Sequence, residues 1–191
     1  MTGLRGKPLR GQQEEVYAQA AGTERSDMHV LLPGEIVDFD AAAQTATVKI
    51  LHKPKIGGEE YPFPELKKVP VKFPRGGGGV LTWPIGKGDP VGVQIASRNI
   101  DNWYENGGEQ TADNFRMHDL SDAVAVPGGM VAGPQAVGDF NAARTELRML
   151  AGLPKVEMGD DLLLIKFNDG CFIEMTAVGI RIIAPRIDLN E

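Results

Sequence analysis

The sequence predicts an all-β fold made of many short strands. The chain of 191 residues contains 24 Gly and 13 Pro, while aromatic residues make up only 6%, a balance typical of strands joined by turns. Apolar and polar residues alternate along several segments, as they do in half-buried strands. A hydrophobic content of 42% is sufficient for a packed core.

Residues 1–27 are predicted to form a polar arm with little core of its own. Good helix formers from Gln12 to Ala21 predict a short helix that ends at Gly22. The stretch from Met1 to Arg10 carries charge but no apolar run, so it does not resemble a secretion signal. No segment approaches the ~20 apolar residues that span a bilayer.

Residues 28–128 are predicted to form a small barrel. Pro and Gly crowd residues 54–64 into a loop, and Pro or Gly bounds most of the later strands. The predicted strands are Glu35–Phe39, Thr45–Leu51, Val69–Phe73, Val80–Trp83 and Val91–Ala96. Five short strands in this space fit a small closed barrel, for which the OB type is one candidate among several.

Residues 129–159 are predicted to be a linker that carries one amphipathic helix. Asp139 stands where an N-cap is expected, ahead of apolar residues at helical spacing. Those apolar residues are Phe140, Ala143, Leu147 and Leu150, and Gly152 and Pro154 end the predicted helix.

Residues 160–191 are predicted to form four strands that each bury one side. Alternation assigns an inward set of Leu163, Ile165, Phe167, Cys171, Ile173, Met175, Val178, Ile180, Ile182, Ile187 and Leu189. The outward set is Lys166, Glu174, Arg181 and Asp188. A segment this short cannot cover an apolar face alone, so we expect copies of the same chain to cover it. Repeated strands and corners with one apolar face indicate a β-helix or prism.

The residues give little indication of catalysis or of a cofactor. His29, His52 and His118 lack metal-ligand spacing. Gly76–Gly79 lacks the Lys-Ser/Thr and helix of a phosphate loop, which predicts a flexible turn. Cys171 alternates with apolar residues, so we interpret it as a small buried hydrophobe. We therefore expect a protein that is not an enzyme and uses no cofactor.

Composition also argues against a nucleic-acid partner. The net charge of -6 is opposite to the basic face that phosphate binding requires. Trp83, Trp103 and Tyr104 are candidates for base stacking, but acidic residues surround Trp103 and Tyr104. Packing in a core or between subunits is the favoured interpretation. A single-stranded nucleic-acid-binding protein of the OB type remains the alternative function.

Three stretches resemble the family of phage baseplate central spikes, also called membrane-piercing proteins. These stretches are Pro33–Asp40 with Gln44–Val48, Pro84–Val93 with its Gly-Asp-Pro-Val strand start, and Phe115–Gly128 with its His-Asp-Leu-Ser-Asp-Ala segment. The resemblance implies a homotrimer in which an OB-fold collar docks under the tail hub and an intertwined β-helix forms the spike. Family members often bind iron through a terminal His-x-His pair. No histidine follows His118, so no metal site is carried over.

This resemblance leads to specific expectations about location and partners. The chain is expected to be assembled in the host cytoplasm, to reside in the baseplate of a contractile phage tail or tailocin, and to contact the host outer membrane transiently. We also expect a separate small protein to cap the tip, since Leu189 would lie uncovered beside Asp188 and Glu191. A cell-wall hydrolase is a third possibility, but residues 129–159 are too few for such a domain.

Overall fold

A computed structural model describes residues 9–26 and 28–187 of the chain. The chain divides between Gly133 and Pro134 into two compact units, which are described separately. Within the described residues, no helix is long and apolar enough to cross a membrane.

The first unit begins with helix α1 (Leu9–Ser26), which extends the predicted helix at both ends and leaves Val16 and Tyr17 exposed. Nine strands and a second helix follow. In chain order they are β1 (Leu31–Asp40), β2 (Thr45–Ile50), β3 (Lys55–Ile56), β4 (Glu59–Glu60), β5 (Leu66–Pro70), β6 (Arg75–Gly76), β7 (Gly79–Val80), β8 (Pro90–Ile95), α2 (Asp101–Asn106) and β9 (Ala123–Pro127). A 3₁₀ turn covers Leu120–Asp122, and another covers Gly133–Gln135.

Five of these strands form one antiparallel sheet in the order β5-β2-β1-β8-β9. The sheet curls so that its two ends approach each other. Val71, just after β5, forms a parallel bridge to Ala125 of β9, and the Lys72 amide donates to the Ala125 carbonyl at 2.9 Å. The result is a partly closed barrel.

The core of this unit lies inside the curled sheet. Ile36, Val48, Val91 and Val93 are at most 1% exposed, and alternate residues along their strands face outward, as the pleat requires. Gly34 sits where an added Cβ would lie 2.7 Å from the Val93 side chain. The close approach of neighbouring strands therefore requires glycine at this position.

Two short hairpins project between the barrel strands and change the predicted strand pattern. The pair β3–β4 turns at Gly57 and Gly58, and the pair β6–β7 turns at Gly77 and Gly78, all four with positive φ. The predicted strand Val80–Trp83 is wrong beyond its first residue, since Leu81 to Trp83 lie outside any strand. The Gly-rich run supplies a hairpin turn in place of that strand.

The second unit is a five-stranded antiparallel meander. Its strands are β10 (Thr145–Arg148), β11 (Lys155–Met158), β12 (Leu162–Asn168), β13 (Cys171–Thr176) and β14 (Gly179–Ile183). Each strand pairs with the next one along the chain. The intertwined β-helix therefore remains a prediction about the assembled protein.

The predicted linker helix is wrong. Asp139 has a φ of 52°, and the Asn141 Oδ1 accepts the amides of Ala143 and Arg144 at 3.0 and 3.1 Å. Such local side-chain bonds compete with helix formation. Leu147 lies in β10, where it pairs with Val156 of β11. Tertiary strand pairing has overridden an apolar spacing that also suited a helix.

Candidate functional site

One face of the C-terminal sheet carries two unbroken rows of residues, almost all of them apolar. Directly paired residues of neighbouring strands share a face. The register gives the first row as Leu147, Val156, Ile165, Ile173 and Ile182, and the second as Thr145, Met158, Leu163, Met175 and Ile180. We call these ten residues the apolar face.

Within the described part of the C-terminal unit, most of this face is uncovered, and only Val156 and Leu163 are half-buried. Ile180 is 64% exposed and Leu147 57%. Ile165, Ile173, Met175, Met158 and Ile182 are also exposed. Large contiguous apolar patches on a surface mark interaction sites. The apolar face is therefore the candidate functional site of this unit.

Six residues of the predicted inward set lie on the apolar face: Leu163, Ile165, Ile173, Met175, Ile180 and Ile182. The other five are not part of the two rows, although alternation puts Cys171 on the same side of β13 as Ile173 and Met175. Phe167 follows an irregularity in the β12–β13 register and is 65% exposed, and Cys171 is half-buried at the start of β13. Val178 lies in the turn before β14, and Ile187 lies beyond the last strand. Leu189 lies outside the described residues, as do Asp188 and Glu191.

Sequence reasoning missed the apolar-face residues of β10 and β11. The available signal was the alternation of Leu147 with Glu146 and Arg148, and of Val156 and Met158 with Lys155 and Glu157. It was hidden because residues 140–150 also matched a helical spacing.

The opposite face of the same sheet mixes ion-paired residues with the apolar residues Leu162, Leu164, Phe172 and Ile183. Lys166, Glu174 and Arg181 of the predicted outward set lie on it, where Arg181 is placed 5.4 Å from the ring centre of Phe172. The Lys155 Nζ contacts Glu146 at 3.1 Å and Glu157 at 2.5 Å. All charged residues of the paired strands lie on this face and none on the apolar face, so we call it the polar face.

Glu157 is the most buried charged group on this polar face, at 4% exposed. Besides Lys155, it contacts Arg144, whose Nη1 lies 3.0 Å from its Oε1. The hydrogen bond from Lys155 lowers the pKa of Glu157, burial opposes this shift, and the bond from Arg144 adds to it. The Arg144 guanidinium also reaches Asp161, and their hydrogen bond lowers the pKa of Asp161.

A second charged cluster lies in the N-terminal unit, within the stretch Phe115–Gly128. Asp122 is fully buried and accepts hydrogen bonds from Arg116 and from the Ile100 amide at 3.1 Å. Arg116 Nη2 also donates to Asp101 at 2.8 Å. Hydrogen bonds from Asn99 and then Arg116 lower the pKa of Asp101. The cluster joins the start of α2 to the strand that closes the barrel.

The neighbouring residues of this stretch have structural contacts. The His118 Nδ1 lies 3.0 Å from the His29 carbonyl oxygen, so this side chain joins two loops of the unit. Asp119 accepts the Ser121 amide at 2.8 Å and so caps the 3₁₀ turn. Across residues 9–26 and 28–187, no three His, Cys, Asp or Glu residues gather as metal ligands would.

Residues 32–128, about half of the chain, match the family model described as phage protein Gp138 N-terminal domain. The chain belongs to this family. Membership indicates a phage structural protein with a virion-associated location. The matched range covers the barrel strands and the Arg116–Asp122 cluster. The same range includes the three stretches that carried the resemblance. No curated protein matches the chain.

Proposed function

We propose that the chain is the central spike of a contractile phage tail or tailocin, built as a homotrimer around the apolar face. The observation that carries this proposal is the exposed face of five strands opposite a paired, polar face. The family match supports a role in the phage particle. The chain acts by structure and not by catalysis.

The dimensions of the sheet favour a three-sided prism. Strands of four to seven residues are ~13–23 Å long at about 3.3 Å per residue. If three such sheets form a triangle with sides of ~17 Å, each sheet lies ~5 Å from the axis, which is half the ~10 Å spacing of packed sheets. Side chains of the apolar face fill that space.

The alternative closed arrangement fits the apolar face less well. Three copies of a five-stranded sheet joined edge to edge make a barrel of fifteen strands. Barrels of about this size enclose a water-filled channel, so the apolar face would stay wet. We therefore infer that the strands cross the spike axis, which is the arrangement of the predicted β-helix.

The N-terminal barrel is proposed to form the OB-type collar that docks under the tail hub. The strand order and the parallel Val71–Ala125 bridge support this assignment, since an OB fold is a partly open five-stranded barrel. Helix α1 supplies surface for the hub, because its residues 14–22 are exposed and not needed by a core.

The far end of the prism is proposed to take a separate small tip protein. Within the described residues, β14 pairs on one side only, with β13. The outer edge of β14 therefore presents unpaired backbone groups, and a capping protein protects such an edge. The tip then meets the host outer membrane transiently during penetration.

Oxidative cross-linking tests the proposal. Alternation along β13 puts Cys171 on the same side as Ile173 and Met175, so three copies bring their thiols near one axis. A mild oxidant is expected to give covalent dimers from the native protein and none after denaturation. Native protein that yields only monomers on non-reducing gels contradicts the arrangement.

A further inference from the structure

Charges of opposite sign are segregated along the N-terminal unit. Residues 53–75 contain six basic and three acidic side chains, whereas residues 101–122 contain six acidic and one basic. The one basic residue in the acidic stretch, Arg116, is already engaged by Asp101 and Asp122. The barrel therefore presents a basic and an acidic surface of distinct composition.

The basic surface is shaped by a bulge in β5. Ala46 pairs with Val69 and Val48 with Leu66, so β5 contains one residue more than β2 over this interval. In a regular strand, adjacent residues point to opposite faces. Because of the extra residue, Lys67 and Lys68 are both exposed, and Lys68 adopts a φ of 56°. We call Lys67, Lys68, Lys72 and Arg75 the basic ridge; all four are exposed.

The acidic surface is built on helix α2, and we define it as Trp103, Tyr104, Glu105 and Glu109. All four side chains are exposed, with Trp103 at 55% and Tyr104 at 48%. Of the two predicted settings, packing in a core is therefore wrong for Trp103 and Tyr104, and packing between subunits stays a prediction. Aromatic anchors among charged residues are typical of binding hot spots.

The Arg116 cluster holds this α2 surface in place. Asp122 accepts the Ile100 amide just before α2, and Arg116 holds Asp101 at its first residue. At the other side, the Asn102 side chain donates to Asp113 and to the Thr111 carbonyl at 2.6 and 3.0 Å. Helix α2 has no buried residue of its own. Polar contacts at its start and at Asn102 therefore hold it in place.

We propose that the basic ridge of one copy docks on the α2 surface of the next copy in the collar. Across the described residues, no ion pair joins these two surfaces within one chain. Complementary charge fixes partner and register. Because the two surfaces differ, the contact is head-to-tail and closes into a ring. The inference rests on the proposed trimer and adds the contact that aligns its collars.

The acidic charges of the α2 surface decide between possible occupants. Glu105 and Glu109 repel a phosphate backbone, so a nucleic acid would engage the basic ridge alone and leave Trp103 and Tyr104 uncovered. A second copy engages both surfaces at once. The occupant we infer is therefore this chain itself.

Carbodiimide cross-linking of the full chain tests the contact. This reagent condenses a lysine amine with a carboxylate to an amide, and it takes up the released water itself. Unlabelled and ¹⁵N-labelled copies are refolded together, cross-linked and digested. We expect peptides that join Lys67 or Lys68 to Glu105 or Glu109 with one light and one heavy partner.

Charge reversal supplies the matched variants. K67E/K68E and E105K/E109K are each expected to lose the mixed-isotope peptides, and the chain with all four reversals is expected to regain them. Lys87→Glu, an exposed reversal away from both surfaces, keeps them. Each double variant lacks one of the two reacting groups, so its loss of the peptides only confirms their assignment. The chain with all four reversals carries the test, and peptides that fail to return there overturn the inference.

The mass in solution separates this inference from the proposed function. A trimer with only same-isotope peptides overturns the collar contact and leaves the spike intact, whereas a monomer overturns both. A fluorescent oligodeoxythymidine serves as a second probe. Binding that K67E/K68E abolishes assigns the basic ridge to nucleic acid and contradicts the docking of a second copy.

Discussion

Arg116 holds the buried carboxylate of Asp122 with two hydrogen bonds, from Nε to Oδ2 at 3.2 Å and from Nη2 to Oδ1 at 3.0 Å. Paired hydrogen bonds of this kind fix both distance and orientation. Since Asp122 immediately precedes β9 and also binds the Ile100 amide, the pair ties the loop that carries α2 to the barrel.

Replacing Asp122 with Ala is expected to destabilise the N-terminal unit by about 3 kcal/mol. The change leaves the Ile100 amide and the Arg116 guanidinium without their buried acceptor. Urea unfolding followed by tryptophan fluorescence measures the effect, because Trp83 and Trp103 both lie in this unit. Thr111→Ala, an exposed change in the same loop and outside the α2 surface, is the control and is expected to shift stability by less than about 0.5 kcal/mol. Equal shifts would contradict the structural role of the pair.

Acid is expected to destabilise the C-terminal unit through Glu157. Its pKa is lowered in the folded state, chiefly by the hydrogen bond from Lys155. A lowered folded pKa means that the stabilisation is present above the pKa of the unfolded chain, about 4.3, and is lost as pH falls through the folded value.

Thermal unfolding as a function of pH measures this effect. We expect the melting temperature to be level near neutral pH and to fall below about pH 4. Glu157→Gln removes the titrating group and is expected to flatten that fall while lowering stability at neutral pH. A variant as acid-sensitive as the native chain would show that other carboxylates control the transition.

Neighbouring substitutions on β14 test the orientation of the apolar face. Ile180 lies on that face and Arg181 on the opposite one. In the proposed trimer, Ile180→Asp puts three like charges near one axis and is expected to cost several kcal/mol per trimer. Arg181→Asp loses the contact with Phe172 and is expected to be much milder. If both variants lower the melting temperature equally, the register is wrong.

Removal of residues 1–27 tests the division of labour between the units. Residues 14–22 of helix α1 are exposed, and the apolar face lies wholly in the C-terminal unit. We expect truncated chains to remain trimeric but to enter tail baseplates less efficiently than the full chain. Incorporation at the native level, measured by competition between tagged full and truncated chains, would count against a hub-binding role for the arm.

Much of the fold could be predicted because alternation and turns are local signals. Ala46, Val48 and Ile50 are buried and alternate with Thr45, Thr47 and Lys49 along β2, and the Asn168-Asp169-Gly170 turn separates β12 from β13. Local patterns do not reveal which strands pair with each other. The apolar segment Ala123–Pro127 was not predicted as a strand, although it closes the barrel beside β8.

The candidate site was predicted in part for the same reason. Alternation identified Ile165 and Ile173, and it did not reveal that Leu147 and Val156 extend the same row. The Arg116–Asp122 pair was not predicted either, because an ion pair six residues apart in a loop leaves no periodic trace. Trp103 and Tyr104 were recognised as notable residues, and only the structure shows that both are exposed.

Sedimentation equilibrium of the full chain at micromolar concentration tests the central claim most directly. The account predicts a single species of three times the 20.6 kDa chain mass, and it predicts that Ile180→Asp shifts this species toward the monomer while Arg181→Asp does not. A native chain that sediments as a monomer would contradict the trimeric spike.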